Sequence, residues 1–231
     1  MELSPFQERM LTVLVPQFCD DPTRGWGRAG FTPDWNLVGT LDAEDFLYAL
    51  DANLVEHVGR GQYNASLSNA KEQFFWSGSK ASYPRKFTIW AEPVITVAVV
   101  GRLHRDYGWP TEFIGMQSKN GAFDFLTKTL GLPSRNYIAG EVKKTAQELK
   151  QMVEQMQYYG KRPYEVAPEK HKNAYRKVLG LREWKAPIFW AVGPDRLSMV
   201  FQMSYSADGS MQFEQVSEEE IAYPRQSIAV T

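Results

Sequence analysis

Three short apolar segments in the middle of the chain constrain the fold more than any other feature. Residues 112–118, 122–128 and 137–144 each have the composition of a strand, and turn residues separate them. A capping box formed by Thr145 and Glu148 follows the third segment directly, which predicts that a helix begins there. Because sequential strands usually pair with each other, we expect a three-stranded meander followed by a helix.

Helical patterns flank this meander on both sides. The predicted helices are one capped by Ser4, one that begins at Asp42 and ends at Gly59, a short aromatic one over 67–77, one over 94–103, one from Thr145 to Gly160, and one from Pro168 to Gly180. Further strands are predicted over 187–193, 198–205 and 211–216, and loops over 19–40 and 78–86.

This order of elements predicts an α/β fold in which helices flank a mixed β-sheet. Residues 1–86 are interpreted as an N-terminal helical extension, and residues 87–231 as the core domain with the C-terminal strands. A length of 231 residues with 43% apolar and 23% charged residues is typical of a globular protein. We expect a cytoplasmic protein without a membrane span, because Cys19 is the single cysteine and apolar runs of about 18 residues are lacking.

Charge is distributed unevenly along the chain. Residues 1–60 contain four Lys or Arg against ten Asp or Glu, a net charge of −6. Residues 161–185 contain eight Lys or Arg against three Glu, a net charge of +5, with aromatic residues between them. A basic segment of this kind is either a solvated helix face or a surface that contacts a polyanion.

The sequence Glu141-Val142-Lys143 is the strongest candidate for chemistry. Side chains two residues apart on a strand point to the same face, so the carboxylate and the ammonium are expected to lie side by side. Asp124 lies on the preceding predicted strand and can reach the same place. Two carboxylates and the Val142 carbonyl are oxygen ligands suited to Mg²⁺, with Lys143 next to a metal-bound water. The alternative is a plain surface ion pair.

The order of these motifs resembles the PD-(D/E)XK nuclease superfamily, and most closely its RecB-like exonuclease branch. The segment from Gly121 to Asp124 is similar to that branch's Gly-hydrophobic-x-Asp motif, and Glu141-Val142-Lys143 is similar to its acid-x-Lys motif. Gln155 and Tyr159 are similar to its Gln-x-x-x-Tyr motif on the following helix. Phe123 stands where the superfamily's signature proline precedes the aspartate.

The resemblance implies a restriction-endonuclease-like fold over roughly residues 90–205 and a role for each matched residue. Asp124 and Glu141 would be metal ligands, Lys143 the catalytic lysine, and Gln155 and Tyr159 would position the site or the substrate backbone. The superfamily's core also begins with a helix that carries an acidic residue. Glu92 is the candidate for it, and Glu56 on the second predicted helix is the alternative.

We therefore expect an Mg²⁺- or Mn²⁺-dependent nuclease that hydrolyses phosphodiester bonds in DNA, as an endonuclease or exonuclease in repair, restriction or a phage-related role. The residues predicted to contact the nucleic acid are basic ones after the site helix: Lys161, Arg162, Lys172, Arg176 and Lys177. An inactive nuclease-fold module that binds nucleic acid or a protein partner is the alternative. A further copy of the chain or another protein is a possible partner.

Overall fold

A six-stranded mixed sheet organises the fold, as shown by a computed structural model that describes residues 3–77, 83–118, 122–129 and 135–224. Its strand order is β12-β11-β10-β9-β8-β7, in which β9 and β10 are parallel and all other neighbours are antiparallel. Two smaller sheets, with orders β1-β6-β5 and β2-β3-β4, belong to the N-terminal part. The predicted α/β class is confirmed.

The strands are β1 (Trp26–Phe31), β2 (Glu56–His57), β3 (Gln62–Asn64), β4 (Glu72–Gln73), β5 (Phe75–Ser77), β6 (Arg85–Ile89), β7 (Ile114–Met116), β8 (Phe125–Thr129), β9 (Arg135–Val142), β10 (Ile188–Val192), β11 (Ser198–Tyr205) and β12 (Met211–Val216). The α-helices are α1 (Pro5–Arg9), α2 (Val15–Phe18), α3 (Thr40–Asp51), α4 (Ala91–Arg105), α5 (Ala146–Gly160) and α6 (Lys172–Trp184). A π-helical turn, Met10–Leu14, joins α1 to α2, and 3₁₀ turns cover Pro22–Arg24, Trp35–Leu37, Thr111–Phe113, Glu169–His171 and Glu218–Ile221.

Strand β10 shows how the central sheet is covered on both faces. All five of its residues are buried, and alternate side chains belong to different apolar clusters. Ile188, Trp190 and Val192 face α4 and the N-terminal part, whereas Phe189 and Ala191 face α5 and α6. A strand buried on both faces is typical of a sheet placed between two helical layers. Helices α5 and α6 pack against each other on one face, and α3 packs on α4 on the other.

The two predicted ranges, 1–86 and 87–231, share one apolar core. Side chains of the first range such as Phe18 and Phe46 pack in the same cluster as Val97 and Trp190 of the second. A carboxylate with no exposed surface, that of Asp45 on α3, also joins the ranges by accepting hydrogen bonds from two arginines. No helix in the described residues is both long and apolar enough to cross a membrane.

The meander and the elements after it are confirmed, except that the helix predicted from Pro168 to Gly180 runs from Lys172 to Trp184. Strands β7, β8 and β9 pair in sequence, and α5 begins after Thr145, whose hydroxyl accepts a hydrogen bond from the Glu148 amide at 3.1 Å. The capping box at Ser4 is also confirmed. The predicted helix over 94–103 is α4, which includes Glu92 in its first turn. The predicted turn at Asn120-Gly121 lies outside the described residues.

Four predicted elements in the N-terminal part were wrong. Helix α3 ends at Asp51 rather than Gly59, because Asn53 takes a left-handed conformation (φ 53°) and the chain then enters strand β2. The predicted helix over 67–77 is replaced by β4 and β5, since pairing of β5 with β6 outweighs local helix propensity. The predicted loops over 19–40 and 78–86 contain β1 and the start of β6; residues 78–82 lie outside the described part.

Asp42 was predicted to cap α3, and this prediction was wrong. The N-cap is Gly39, and the Asp42 carboxylate is buried in the helix. It accepts hydrogen bonds from the backbone amides of Asp195 at 2.5 Å and Arg196 at 3.3 Å, in the turn between β10 and β11. Asp42 therefore connects α3 to the central sheet instead of ending its own helix.

Candidate functional site

Asp124 forms two hydrogen bonds with the strand that carries the acid-x-Lys motif. Its backbone amide donates to the Gly140 carbonyl at 2.9 Å, and its Oδ2 accepts from the Val142 amide at 2.9 Å. These two contacts lie on either side of Glu141. The approach of β8 to β9 is close here because Gly140 lies under the Phe125 ring, which leaves no room for a Cβ atom. The carboxyl group of Asp124 is thus held beside Glu141 by the sheet itself.

Glu141 is buried and touches two lysines. Lys143 Nζ donates to Glu141 Oε1 at 2.7 Å and to the Val142 carbonyl at 2.8 Å. Lys177 Nζ, from α6, lies 2.6 Å from Glu141 Oε2. At this distance the second contact is a close ion pair, and Lys177 contributes to the low pKa of Glu141. Glu141 and Lys143 therefore lie side by side, as expected for residues two apart on a strand.

Burial and charge shift the pKa values of these groups in different directions. Burial and the neighbouring Glu141 carboxylate raise the pKa of Asp124 to about 7. Burial alone would raise the pKa of Glu141 too, but Lys177 and Lys143 outweigh it and lower that pKa. Burial would lower the pKa of Lys143, and the two carboxylates reverse this effect and raise it. The site thus combines an ionised carboxylate between two lysines with a second carboxyl group whose pKa is raised to about 7.

A cleft of about 370 Å³ opens next to this cluster, between the start of α4 and the faces of α5 and α6. Glu92 lines it from α4, Gln155 from α5 and Asn173 from α6, and Lys143 lines it from the end of β9. Its other charged side chains are Lys144, Glu148 and Lys170, which makes three lysines against two glutamates. A polar, open cleft with Lys143 in its wall suits a charged ligand that reaches the site from solvent.

The structure brings some of the predicted site residues to this cleft and leaves others away from it. Glu92 is close enough to Lys143 to help raise the pKa of that lysine. Gln155 lines the cleft, but Tyr159, one turn later, is buried and its hydroxyl pairs with His171 Nδ1 at 2.8 Å. Glu56 lies on β2 beside a different cleft, so Glu92 is the acidic residue near the site.

Four of the five predicted nucleic-acid contacts are exposed, and the fifth is not. Lys161, Arg162, Lys172 and Arg176 lie on the surface around the α5–α6 connection, where Arg162 stacks on Tyr158 at 3.8 Å. Lys177 is only 2% exposed, so its ammonium cannot reach a phosphate in solvent, and the structure corrects its expected role to a partner of Glu141. Its spacing from the apolar residues Ala174 and Leu181 was the signal for burial.

Sequence reasoning also missed a second buried carboxylate near the site. Glu72 on β4 is 6% exposed and accepts a hydrogen bond from the side chain of Gln117. The backbone amide of Gln117 donates in turn to the Asp124 carbonyl at 2.8 Å. Burial raises the pKa of Glu72 to about 7 against the effect of that hydrogen bond, and Glu92 adds to the increase. No pattern around Glu72 marks it, because β4 was not predicted.

Replacing Glu72 with Gln should remove a pH-dependent penalty on stability. A carboxyl group whose pKa rises from 4.5 to about 7 on folding binds more protons folded than unfolded between those values, so stability falls as pH rises through that range. The penalty is absent below pH 4.5 and complete above pH 7, where it amounts to roughly 3 kcal/mol. Urea unfolding of both proteins at pH 5 and pH 8 should show Glu72→Gln to be clearly more stable only at pH 8.

A matched change on an exposed carboxylate controls for net charge. Glu214→Gln on β12 alters the same charge at an exposed position and should change the free energy of unfolding little at either pH. An equal difference between Glu72→Gln and the unchanged protein at pH 5 and pH 8 would contradict the assignment of a raised pKa to this group.

The oxygen atoms around Glu141 meet some, but not all, of the requirements for binding a hard divalent cation. Asp124, Glu141 and the Val142 carbonyl supply oxygen atoms only, the type of ligand that Mg²⁺ prefers, but Lys177 Nζ lies 2.6 Å from Glu141 Oε2. However, in the described part of the chain no group of three or more His, Cys, Asp and Glu side chains is arranged to hold a metal ion. A cation held by these two carboxylates and the carbonyl would replace Lys177 at Glu141 Oε2, and Lys143 at Glu141 Oε1 and the Val142 carbonyl.

Comparison with known proteins gives no significant match to a family model, a curated protein or a solved structure. The site is therefore interpreted from its own geometry.

Proposed function

We propose that this protein is a metal-dependent nuclease that hydrolyses phosphodiester bonds in DNA, with a core of the restriction-endonuclease-like, PD-(D/E)XK type. One observation carries the proposal. Asp124, Glu141 and Lys143 meet at the end of β9, where Lys143 Nζ is 2.7 Å from Glu141 and faces an open cleft. Buried carboxylates such as Glu141, paired with a part-buried ammonium, are costly to maintain as a purely structural feature.

Each residue has a separate role in this proposal. Asp124, Glu141 and the carbonyl of Val142 would hold Mg²⁺ or Mn²⁺, which supplies an activated water and a Lewis acid when it is bound. Lys143 neutralises the negative charge that grows on the phosphate oxygens and orients the attacking water. Glu92 adds negative charge on the α4 side of the cleft, and Gln155 offers an amide to the substrate backbone.

The charges around the cleft favour a phosphodiester substrate. Lys143, Lys144 and Lys170 line the cleft itself. The exposed Lys161, Arg162, Lys172 and Arg176 continue this basic surface along the α5–α6 side. Basic residues that follow a substrate backbone supply affinity without sequence specificity, and that affinity falls with salt. We therefore expect weak dependence on base sequence.

The test is hydrolysis by the purified chain, with linear, circular and single-stranded DNA and a matching RNA as substrates. We expect phosphodiester cleavage in Mn²⁺ or Mg²⁺ and none in EDTA. Cleavage of circular DNA would identify an endonuclease, and cleavage of linear DNA alone an exonuclease. Intact substrates under all of these conditions would contradict the proposal.

A second candidate function is favoured by Lys177. Its ammonium lies at the Glu141 oxygen that a metal would use, so an internal cation already neutralises the carboxylate. This arrangement fits an inactive nuclease-fold module that binds nucleic acid or a protein partner. Calorimetric titration with Mn²⁺ separates the two functions: the nuclease should bind the ion, and Asp124→Asn should weaken that binding, whereas the module should bind none.

A further inference from the structure

An aromatic cleft adjoins the candidate active site. It has a volume of about 410 Å³ and is lined by Trp76, Trp90 and Leu37 on its apolar side. The two indole rings are 5.3 Å apart, with their planes at 71°. Trp76 is 57% exposed and Leu37 is 40% exposed, although such large apolar groups are usually covered in a folded protein. The wall of the cleft thus presents an open indole ring to solvent.

Two side chains connect this aromatic cleft to the polar one. Glu92 and Lys144 line both clefts, so the two clefts adjoin at this pair, and the two together, from the tryptophans to Lys143, are called the groove. Local structure fixes the position of Trp90 relative to Glu92, because Trp90 is the residue before α4 and Glu92 lies in the first turn of that helix. Trp76 on β5 pairs with Thr88 on β6, which holds the exposed ring over the same end of the groove.

We infer that the aromatic cleft binds an unpaired nucleobase of the strand whose phosphate enters the candidate active site, an inference that rests on the proposed function. The groove offers a ring face at one end and lysines at the other, and this matches the alternation of base and phosphate along a nucleic-acid strand. In a duplex the faces of the bases are stacked on each other. The substrate class is therefore single-stranded nucleic acid, or a duplex end or junction with unpaired bases.

Binding experiments in EDTA test this inference without cleavage. A fluorescein-labelled oligothymidine of 20 nucleotides is titrated with the unchanged protein, Trp76→Leu and Trp76→Phe. Loss of stacking should weaken binding of Trp76→Leu by roughly 5- to 150-fold, and Trp76→Phe should retain most of the affinity because a ring remains. Affinity for a blunt-ended duplex of the same length should change less than about twofold, since its bases are paired and all but the outer faces of the two terminal pairs are stacked.

Tryptophan emission gives a second readout that a purely structural role would not alter. The chain contains 7 Trp residues, and the oligothymidine should quench part of their emission in the unchanged protein. That part should be missing in Trp76→Phe. Equal affinity of Trp76→Leu and the unchanged protein for the single strand would overturn the inference. It would also be overturned if sedimentation showed a dimer of the unchanged protein that Trp76→Leu dissociates while the affinity for the single strand stays the same.

The outcomes also separate this inference from the proposed function. Hydrolysis in Mn²⁺ together with an unaffected Trp76→Leu would refute the aromatic site and leave the nuclease. Binding of single strands that depends on Trp76, with no hydrolysis in any divalent ion, would support the aromatic site and refute the nuclease.

Discussion

Lys143→Met should abolish metal-dependent hydrolysis, with a rate at least about 10³-fold lower than that of the unchanged protein. Methionine keeps the length and apolar body of the side chain but removes the ammonium that contacts Glu141 Oε1 at 2.7 Å and the Val142 carbonyl at 2.8 Å. The phosphate would then lose the cation that faces it from the wall of the cleft. Initial rates of DNA cleavage at saturating Mn²⁺ measure the effect.

The matched control is Lys150→Met on α5. Lys150 is 75% exposed, pairs loosely with Glu154 at 4.0 Å, and should be replaceable with little loss of rate. Lys143→Arg provides a folded variant that keeps a positive charge but cannot place it as a single point, so its rate should also be far lower. Far-ultraviolet circular dichroism verifies that each variant is folded. Full activity in a folded Lys143→Met protein would refute the assignment of the site.

The central part of the fold was predictable because its signals are local. Turn residues separate the strands of the meander, and the Thr145 cap lies only a few residues after β9. The relation of Glu141 to Lys143 follows from the strand period alone, although β9 ends at Val142 and Lys143 lies one residue beyond it. Helix α4 was predicted from Glu92-Pro93 at its start and Arg102 and Arg105 near its end, although its β-branched residues favour a strand.

The N-terminal part was not predictable in the same way, because its elements depend on distant partners. Strand β1 lies in a Gly-rich segment and forms through parallel pairing with β6, far away in sequence. Strand β5 contains aromatic residues that suit a helix equally well until β6 is present, and β4 forms only by pairing with β3. Local propensity cannot choose between such states when tertiary pairing decides between them.

The same reasoning explains which site residues were missed. Lys177 reaches Glu141 from another element, and its charge suggested the surface although its helical position is on the buried face. Glu72 and Trp76 join the site only through strands that were not predicted. Candidate residues that lie on one meander can be predicted from the sequence. Residues that reach them from other elements, such as Lys177 and Glu72, can be identified only once the fold is known.

Asp45→Ala should lower the free energy of unfolding by about 3 kcal/mol, the largest loss expected from a single change to an ion pair between side chains. The Asp45 carboxylate has no exposed surface and holds Arg105 Nη2 at 2.6 Å and Arg196 Nη2 and Nε at 2.6 and 2.8 Å. Removing it leaves Arg196 without the carboxylate that it pairs with, whereas Arg105 keeps its ion pair with Asp106 at 2.7 Å. Each keeps about a third of its side-chain surface exposed, so solvent screens part of the cost.

Asp51→Ala on the same helix is the matched control. Asp51 pairs with Arg9 at 2.8 Å, but its side chain is 62% exposed, so the change should cost less than about 1 kcal/mol. Urea unfolding with an unchanged m-value measures both differences. Salt separates them further, because 1 M NaCl should remove the small Asp51 effect and leave most of the Asp45 effect, which is buried from ions. Equal losses for the two variants would show that Asp45 does not hold α3 to α4 and to the turn after β10.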